Sequence, residues 1–136
     1  MITIVTSLLL SLPALAQNEV VGIWLTPEGE TKVEIYEDGG QYYGKVVWLK
    51  TPMNKKGQPP TDKKNPNKAL RERHIMGIHL LEGLTYKNNQ WSGTIYSPKK
   101  GKSLDVALSL NNANELNLTV SVYSFTREQV WTRTTL

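Results

Sequence analysis

The stretch LDVALSLNNANELNLTVSV, residues 104–122, is the clearest structural signal in the chain, because apolar and polar side chains alternate in two successive runs. Alternate side chains of a β-strand point to opposite faces, so each run gathers its apolar residues on one face of a sheet. Those residues are Leu104, Val106, Leu108 and Leu110 in the first run and Leu116, Leu118, Val120 and Val122 in the second. The stretch predicts two strands, each with one buried face.

Further strand-like runs lie on both sides of this stretch. They cover residues 20–26, 31–37, 41–49, 83–87, 91–96 and 128–134, and turn signals such as Asn88-Asn89 separate them. About eight short antiparallel strands predict an all-β domain, either a sandwich or a small closed barrel. The exception is one long loop with a short helix around 50–73, since 50–68 is rich in Pro, Asn and Lys and Asn65-Pro66 is typical of a helix start.

The first sixteen residues, MITIVTSLLLSLPALA, carry no charged side chain. The apolar run is too short to span a bilayer, and Ala14-Leu15-Ala16 is typical of a signal-peptidase site. We therefore expect a signal peptide over 1–16, cleavage near Ala16/Gln17, and one exported domain over 17–136 that is periplasmic or secreted. No later segment is apolar enough to make the protein integral to a membrane.

Composition excludes several kinds of site. The chain has 136 residues and no Cys, which removes disulfides, thiolate metal sites and Cys nucleophiles. His74 and His79 lie five apart, so alternating strand positions would separate them, and no Ser nucleophile motif is present. We predict no enzyme, no metal and no cofactor. A glycosidase-like carboxylate pair drawn from Asp62, Glu72, Glu82 and Asp105 stays open as a minor alternative.

The two ends of the domain look paired. Gly22-Ile23-Trp24 lies in the first predicted strand and Trp131-Thr132-Arg133 in the last. In a closed barrel these strands are neighbours, and the Arg133 guanidinium can stack on the Trp24 indole. This pattern resembles the calycin (lipocalin-like) signature, in which an Arg from the last strand covers a Gly-x-Trp of the first. The resemblance implies a closed, lipocalin-like barrel. The simpler alternative is that Trp24 and Trp131 are ordinary aromatic residues of the core.

A wider resemblance covers almost all of the chain after residue 16. It rests on GIW (22–24), GKVVWL (44–49), DKKNP (62–66), LRER (70–73), IMG (75–77), WSGTIY (91–96) and REQVWTR (127–133). In order and spacing these blocks resemble the DUF2147 family of small exported bacterial proteins of unknown function. Ser97 and His74 depart from the residues common in that family, Asp and Pro. The resemblance implies a family and no reaction.

Residues 45–73 hold nine Lys or Arg and two acids, so this part of the chain is strongly basic. Asp62 and Asn65 are turn and cap formers, and Asp62 can pair with Arg71 or Arg73 to fix the long loop. Alternatively, one of these arginines binds a carboxylate or phosphate. We expect a ligand site built from these arginines, Arg127 and an aromatic wall: Arg71, Arg73, Arg127, Trp48, Trp91 and Tyr96.

The leading hypothesis is an exported lipocalin-like barrel that binds a small hydrophobic or anionic ligand in its mouth. The alternative is a solid-core envelope module whose basic loop contacts acidic lipid or cell-wall polymer. The two differ in whether the barrel holds an internal cavity. An exported protein rarely meets nucleic acid, so we predict no nucleic-acid partner.

Overall fold

The computed structural model describes residues 16–136. The predicted signal peptide, Ala16 apart, lies outside the described residues. The strands are β1 Gly22–Leu25, β2 Thr31–Asp38, β3 Gln41–Leu49, β4 His79–Lys87, β5 Gln90–Ser97, β6 Lys102–Asn112, β7 Glu115–Val122 and β8 Phe125–Thr134. One 3₁₀ turn, η1 Lys68–Leu70, interrupts the loop between β3 and β4.

The strands form a closed antiparallel barrel. Each strand pairs with the next along the chain, and β8 pairs with β1, where Trp24 lies opposite Arg133. Closure satisfies the backbone groups that an open sheet would leave exposed at its two edges. The structure confirms the predicted all-β fold, a closed antiparallel barrel of eight strands.

Strand β4 starts four residues before the prediction. Gly83 has a φ of +61°, and the pairing of β4 with β5 shifts between Glu82 and Thr85. This bulge breaks the alternation, so that Leu81 and Leu84 both face the core although they are three apart. The alternation of apolar and polar residues therefore predicts only the part of β4 that follows the bulge.

The predicted helix of one or two turns over 67–73 is reduced to η1. Asn67 caps it, since its side chain accepts a hydrogen bond from the Ala69 amide at 3.0 Å. Asn65, the expected cap, instead donates from its side chain to Asp62 at 2.8 Å. The side-chain contacts of Asp62 thus hold the loop in a tighter path than a longer helix would follow.

One end of the barrel is closed by the chain that precedes β1. Tyr42 donates to the Asn18 side chain at 2.6 Å, and the Trp91 indole donates to the Gln17 carbonyl at 3.0 Å. Val20 is completely buried beneath the strands, and its carbonyl accepts a hydrogen bond from the Trp24 indole at 2.9 Å. We call residues 17–21 the plug and this end of the barrel the closed end.

Arg133 fastens the plug to the barrel. Its guanidinium carbon lies 4.3 Å from the centroid of the Trp24 ring, and its nitrogens donate to the carbonyls of Ala113, Val21 and Glu19 at 2.7–2.9 Å. A Cβ on Gly22 would lie 2.5 Å from the same guanidinium, and the φ of Gly22 is +144°. Glycine is therefore required here both for space and for backbone conformation.

Candidate functional site

The end opposite the plug, which we call the mouth, holds a cavity of about 820 Å³. The cavity lies among the β1–β2 turn, the β5–β6 turn and strands β7 and β8. Its apolar walls are Leu80, Ile95, Leu104, Val120 and Val122, and Trp131 is the lining residue farthest along β8 from the mouth. Near the mouth, the space between the inward faces of β6 and β7 and the other strands is thus only partly filled by side chains. Nearer the closed end, the inward side chains of both strands belong to the packed core.

Arg127 places a cation at this cavity. It pairs with Val120 across β7 and β8, and paired residues of antiparallel strands face the same side, so its side chain points inward. Within residues 16–136 it has neither an ion pair nor a hydrogen-bonded side-chain partner, and its guanidinium carbon lies 5.8 Å from the Phe125 ring centroid. The guanidinium is therefore available to an anionic group at the mouth.

Further charges line the mouth of the cavity on two sides. Lys99 and Lys100 belong to the β5–β6 turn, Glu28 and Glu30 belong to the β1–β2 turn, and Glu128 follows Arg127 in β8. The mouth therefore has a basic side and an acidic side. An anionic group bound by Arg127 would be favoured on the basic side and repelled by the glutamates.

A second, smaller cavity of about 240 Å³ lies between the long loop and the outer wall of β4, β5 and β6. Its polar lining residues are Asn65, Arg73, His79, Glu82, Thr94, Tyr96 and Ser103. Thr94 pairs with Glu82 and Tyr96 with Ser103, which places these side chains on the outer face of the sheet. This cavity is separate from the barrel interior.

A buried carboxylate fixes the loop beside this second cavity. Asp62 is 1% exposed and accepts hydrogen bonds from Asn65 at 2.8 Å, from Tyr96 at 2.7 Å and from Arg73 at 3.0 Å. The Asp62 amide also donates to the Arg73 carbonyl at 2.9 Å. All three side-chain donors satisfy one carboxylate, so the loop is locked onto β5 through Tyr96.

The environment of Asp62 favours its ionised form. Burial alone raises the pKa of this carboxyl, but hydrogen bonds from Asn65, Tyr96 and Arg73, together with the charge of Arg73, outweigh burial and leave the pKa below its usual value. The pKa of Tyr96 is raised by burial, by its hydrogen bond to Asp62 and by the Asp62 charge. Asp62 is therefore a fixed anion at neutral pH, which suits a structural role.

The six residues expected at a ligand site lie in different parts of the molecule. Arg127 lines the mouth cavity, Arg73 lines the outer cavity, and Tyr96 borders both. Arg71 lines neither cavity, and its guanidinium donates to the Asn65 carbonyl at 2.7 Å. The expected cluster of arginines is thus divided between two sites.

The two tryptophans of the expected aromatic wall also lie away from both cavities. Trp91 is buried near the closed end, because β5 starts there. A bulge between Lys32 and Val33 turns Trp48 toward Lys32, whose ammonium lies 4.8 Å from the ring centroid. The wall of the mouth cavity is instead mainly aliphatic, with Tyr96 and Trp131 as its aromatic members.

Sequence reasoning assigned Trp131 to the structural signature and did not place it in a cavity. The usable signal was the alternation in β8, which puts Trp131 and Arg127 on the same face. Among residues 16–136, no three His, Cys, Asp or Glu side chains come together in a way that could hold a metal ion. No helix in the same range is long and apolar enough to span a membrane.

Comparison with solved structures finds protein HP1028 from the human pathogen Helicobacter pylori, described as belonging to the lipocalin family. The TM-score is 0.73 at 24% identity, and the match covers 85% of this chain and 83% of that one. This likeness concerns the fold. Comparison with curated proteins finds no match. A family model described as "Uncharacterized protein conserved in bacteria (DUF2147)" matches residues 22–133, from Gly22 at the start of β1 to Arg133 in β8, and the chain belongs to that family.

Proposed function

We propose that this protein binds a small amphiphilic anion, such as a long-chain carboxylate, in the mouth cavity. The observation that carries the proposal is an open cavity of about 820 Å³ with aliphatic walls and the cationic Arg127 at its edge. Ligand pockets commonly have volumes of about 300–1,000 Å³ and combine apolar walls with a few polar groups. The aliphatic walls suit an alkyl chain, and Arg127 suits its anionic head.

The alternative, a solid-core module, requires a barrel filled by side chains throughout. The half of the barrel nearer the closed end has such a core, with Trp24, Leu108, Leu116 and Leu118 all buried. The mouth cavity, which this core does not fill, favours a ligand-binding barrel over the solid-core module. The lipocalin-like fold is consistent with ligand binding, since an eight-stranded barrel of this kind can hold one small ligand.

The proposal is tested with a fluorescent long-chain fatty acid titrated into the protein. We expect saturable binding with energy transfer from the indole of Trp131, which lines the cavity. Arg127→Gln removes the cation at the cavity and should weaken binding about tenfold, as expected for one charge-assisted contact.

Arg71→Gln is the matched control, because it makes the same substitution at an arginine that lines neither cavity. We expect the fatty-acid affinity of this variant to equal that of the wild type. Absence of saturable binding by the wild type, or equal losses in both variants, would contradict binding at the mouth.

We further propose that the protein is exported after cleavage between Ala16 and Gln17. The carbonyl of Gln17 accepts the Trp91 hydrogen bond, so the residue directly after the proposed cleavage point already contacts the barrel. Mass spectrometry of the protein released from the periplasm or medium should give a mature chain starting at Gln17. A product that keeps residues 1–16, or one that starts inside the plug, would contradict this assignment.

A further inference from the structure

Two hairpin ends lie side by side at the basic side of the mouth. The ammonium of Lys102, at the start of β6, donates to the Tyr123 hydroxyl at 2.7 Å and lies 5.0 Å from the centroid of the Tyr123 ring. Residues 97–102 and 122–127 together hold four cations and no acid. We call the following residues the rim: Lys99, Lys100, Lys102, Tyr123, Phe125 and Arg127.

The rim also carries two exposed aromatic side chains. Tyr123 is 87% exposed and Phe125 is 51% exposed, although most aromatic rings of this small barrel are at least half-buried. Tyr123 occupies the tip of the β7–β8 hairpin with a φ of +56°, a conformation that favours Gly or Asn over a bulky residue. A large ring is thus held in water at a turn where it costs stability, which points to a contact made outside the chain.

We propose that the rim docks the barrel, mouth first, onto a bilayer that contains anionic lipid. Lysines and arginines are attracted to the negative surface of such a bilayer. Tyrosine is well suited to the layer between headgroups and acyl chains, because that layer accommodates both its apolar ring and its polar tip, and the apolar ring of phenylalanine can enter the acyl boundary. A soluble acidic protein could also bind the cations of the rim. Binding to such a protein would not explain why two aromatic rings are exposed beside them.

The acidic groups around the mouth give the docking a direction. Glu28 and Glu30 lie on the β1–β2 turn, which the strand order places across the mouth from the β5–β6 turn. Glu128 is on the outer face of β8, where the Asn117 side chain donates to it at 3.1 Å. The barrel should therefore approach the surface tilted, with its β5–β6 and β7–β8 hairpin ends toward the lipid. This inference is independent of the proposed fatty-acid ligand, although it would bring the cavity next to a source of amphiphiles.

The experiment is sedimentation with vesicles, using the proposed mature chain from Gln17 onward, which contains every strand of the barrel. Vesicles of phosphatidylcholine mixed with phosphatidylglycerol are compared with vesicles of phosphatidylcholine alone, at low and high salt. We expect binding to the anionic vesicles that weakens as salt rises, because the cations at the rim are exposed and screened.

The double variant Lys99→Gln/Lys100→Gln tests the cations of the rim. Each cation close to an anionic surface contributes about fivefold in affinity, so the variant should bind the anionic vesicles roughly 25-fold less tightly. Lys55→Gln/Lys56→Gln makes the same change of charge in the long loop and should keep nearly the wild-type affinity. Equal losses in the two variants would contradict docking through the rim and indicate attraction by net charge alone, and a larger loss in the loop variant would assign docking to the loop.

Tyr123→Gly separates docking from folding and from ligand binding. Glycine relieves the positive φ, so the melting temperature should stay the same or rise, while vesicle binding falls several-fold. Tyr123 does not line the mouth cavity, so fatty-acid binding in solution should be unchanged. Unaltered vesicle binding by this variant would overturn the proposed role of the ring, whatever the outcome of the fatty-acid titration.

Discussion

Trp24→Ala is expected to lower the free energy of unfolding by about 3–5 kcal/mol, the range for removal of a large buried aromatic side chain. Trp24 is completely buried, its indole donates to the Val20 carbonyl at 2.9 Å, and Arg133 lies over its ring. The substitution leaves a cavity at the seam between β1 and β8 and removes a contact of the plug. Chemical denaturation followed by far-ultraviolet circular dichroism measures the loss.

Trp48→Ala is the matched control for this prediction. Trp48 is only half-buried on the outer face of β3, with Lys32 over its ring. Its removal opens no core cavity, so we expect a loss of about 1 kcal/mol or less. If the two tryptophan variants lose similar stability, the seam between β1 and β8 does not have the importance that the structure assigns to it.

Asp62→Ala should destabilise the protein by about 2–4 kcal/mol. It leaves Tyr96 and Asn65 without their acceptor and removes the partner of Arg73. The value lies below that of a fully buried ion pair, because the Arg73 side chain is 36% exposed and water can replace part of the lost interaction. We also expect proteolysis within residues 50–78 to become faster, since this carboxylate fixes the loop to β5.

The stability that the Asp62 charge supplies depends on pH. The pKa of Asp62 is lowered in the folded state, so its contribution is complete above the pKa of an unfolded aspartate, about 4, and decreases as pH falls toward the lower folded value. Asp62→Asn removes this ionisation. The difference in unfolding free energy between the wild type and Asp62→Asn should be constant near neutral pH and shrink below about pH 4. A difference that does not change with pH would show that the charge of Asp62 contributes nothing to stability.

The strands could be predicted because alternation within a strand is a local signal, and in β6 and β7 it identifies their inward faces. Closure of the barrel was predicted from the resemblance of Gly22-Ile23-Trp24 and Trp131-Thr132-Arg133 to the calycin signature, and Arg133 does lie over the Trp24 ring. The bulge at Gly83 escaped this reasoning, because it changes which face a residue occupies without changing the composition of the strand.

The candidate site could be predicted only in part. Asp62, Asn65 and Arg73 lie within twelve residues of one another, so turn chemistry alone brought them together. Trp48 and Trp91 were misplaced as a cavity wall, because their positions depend on a bulge in β2–β3 and on which end of the barrel β5 starts from. The cavities themselves depend on how far the core side chains fill the barrel, and the composition of single strands does not determine this.

Both ends of the described chain lie at the same pole. The plug crosses that pole, and Thr134 pairs with Ile23 beside it, so a peptide fused to residue 136 or ahead of Gln17 starts on the side away from the cavity. A molecule immobilised on a sensor chip through either terminus would consequently present its cup outward. Carrier proteins or fluorophores attached there would leave access to the mouth cavity unobstructed. An amino-terminal extension must be joined ahead of Gln17, so that the contacts of the plug are preserved.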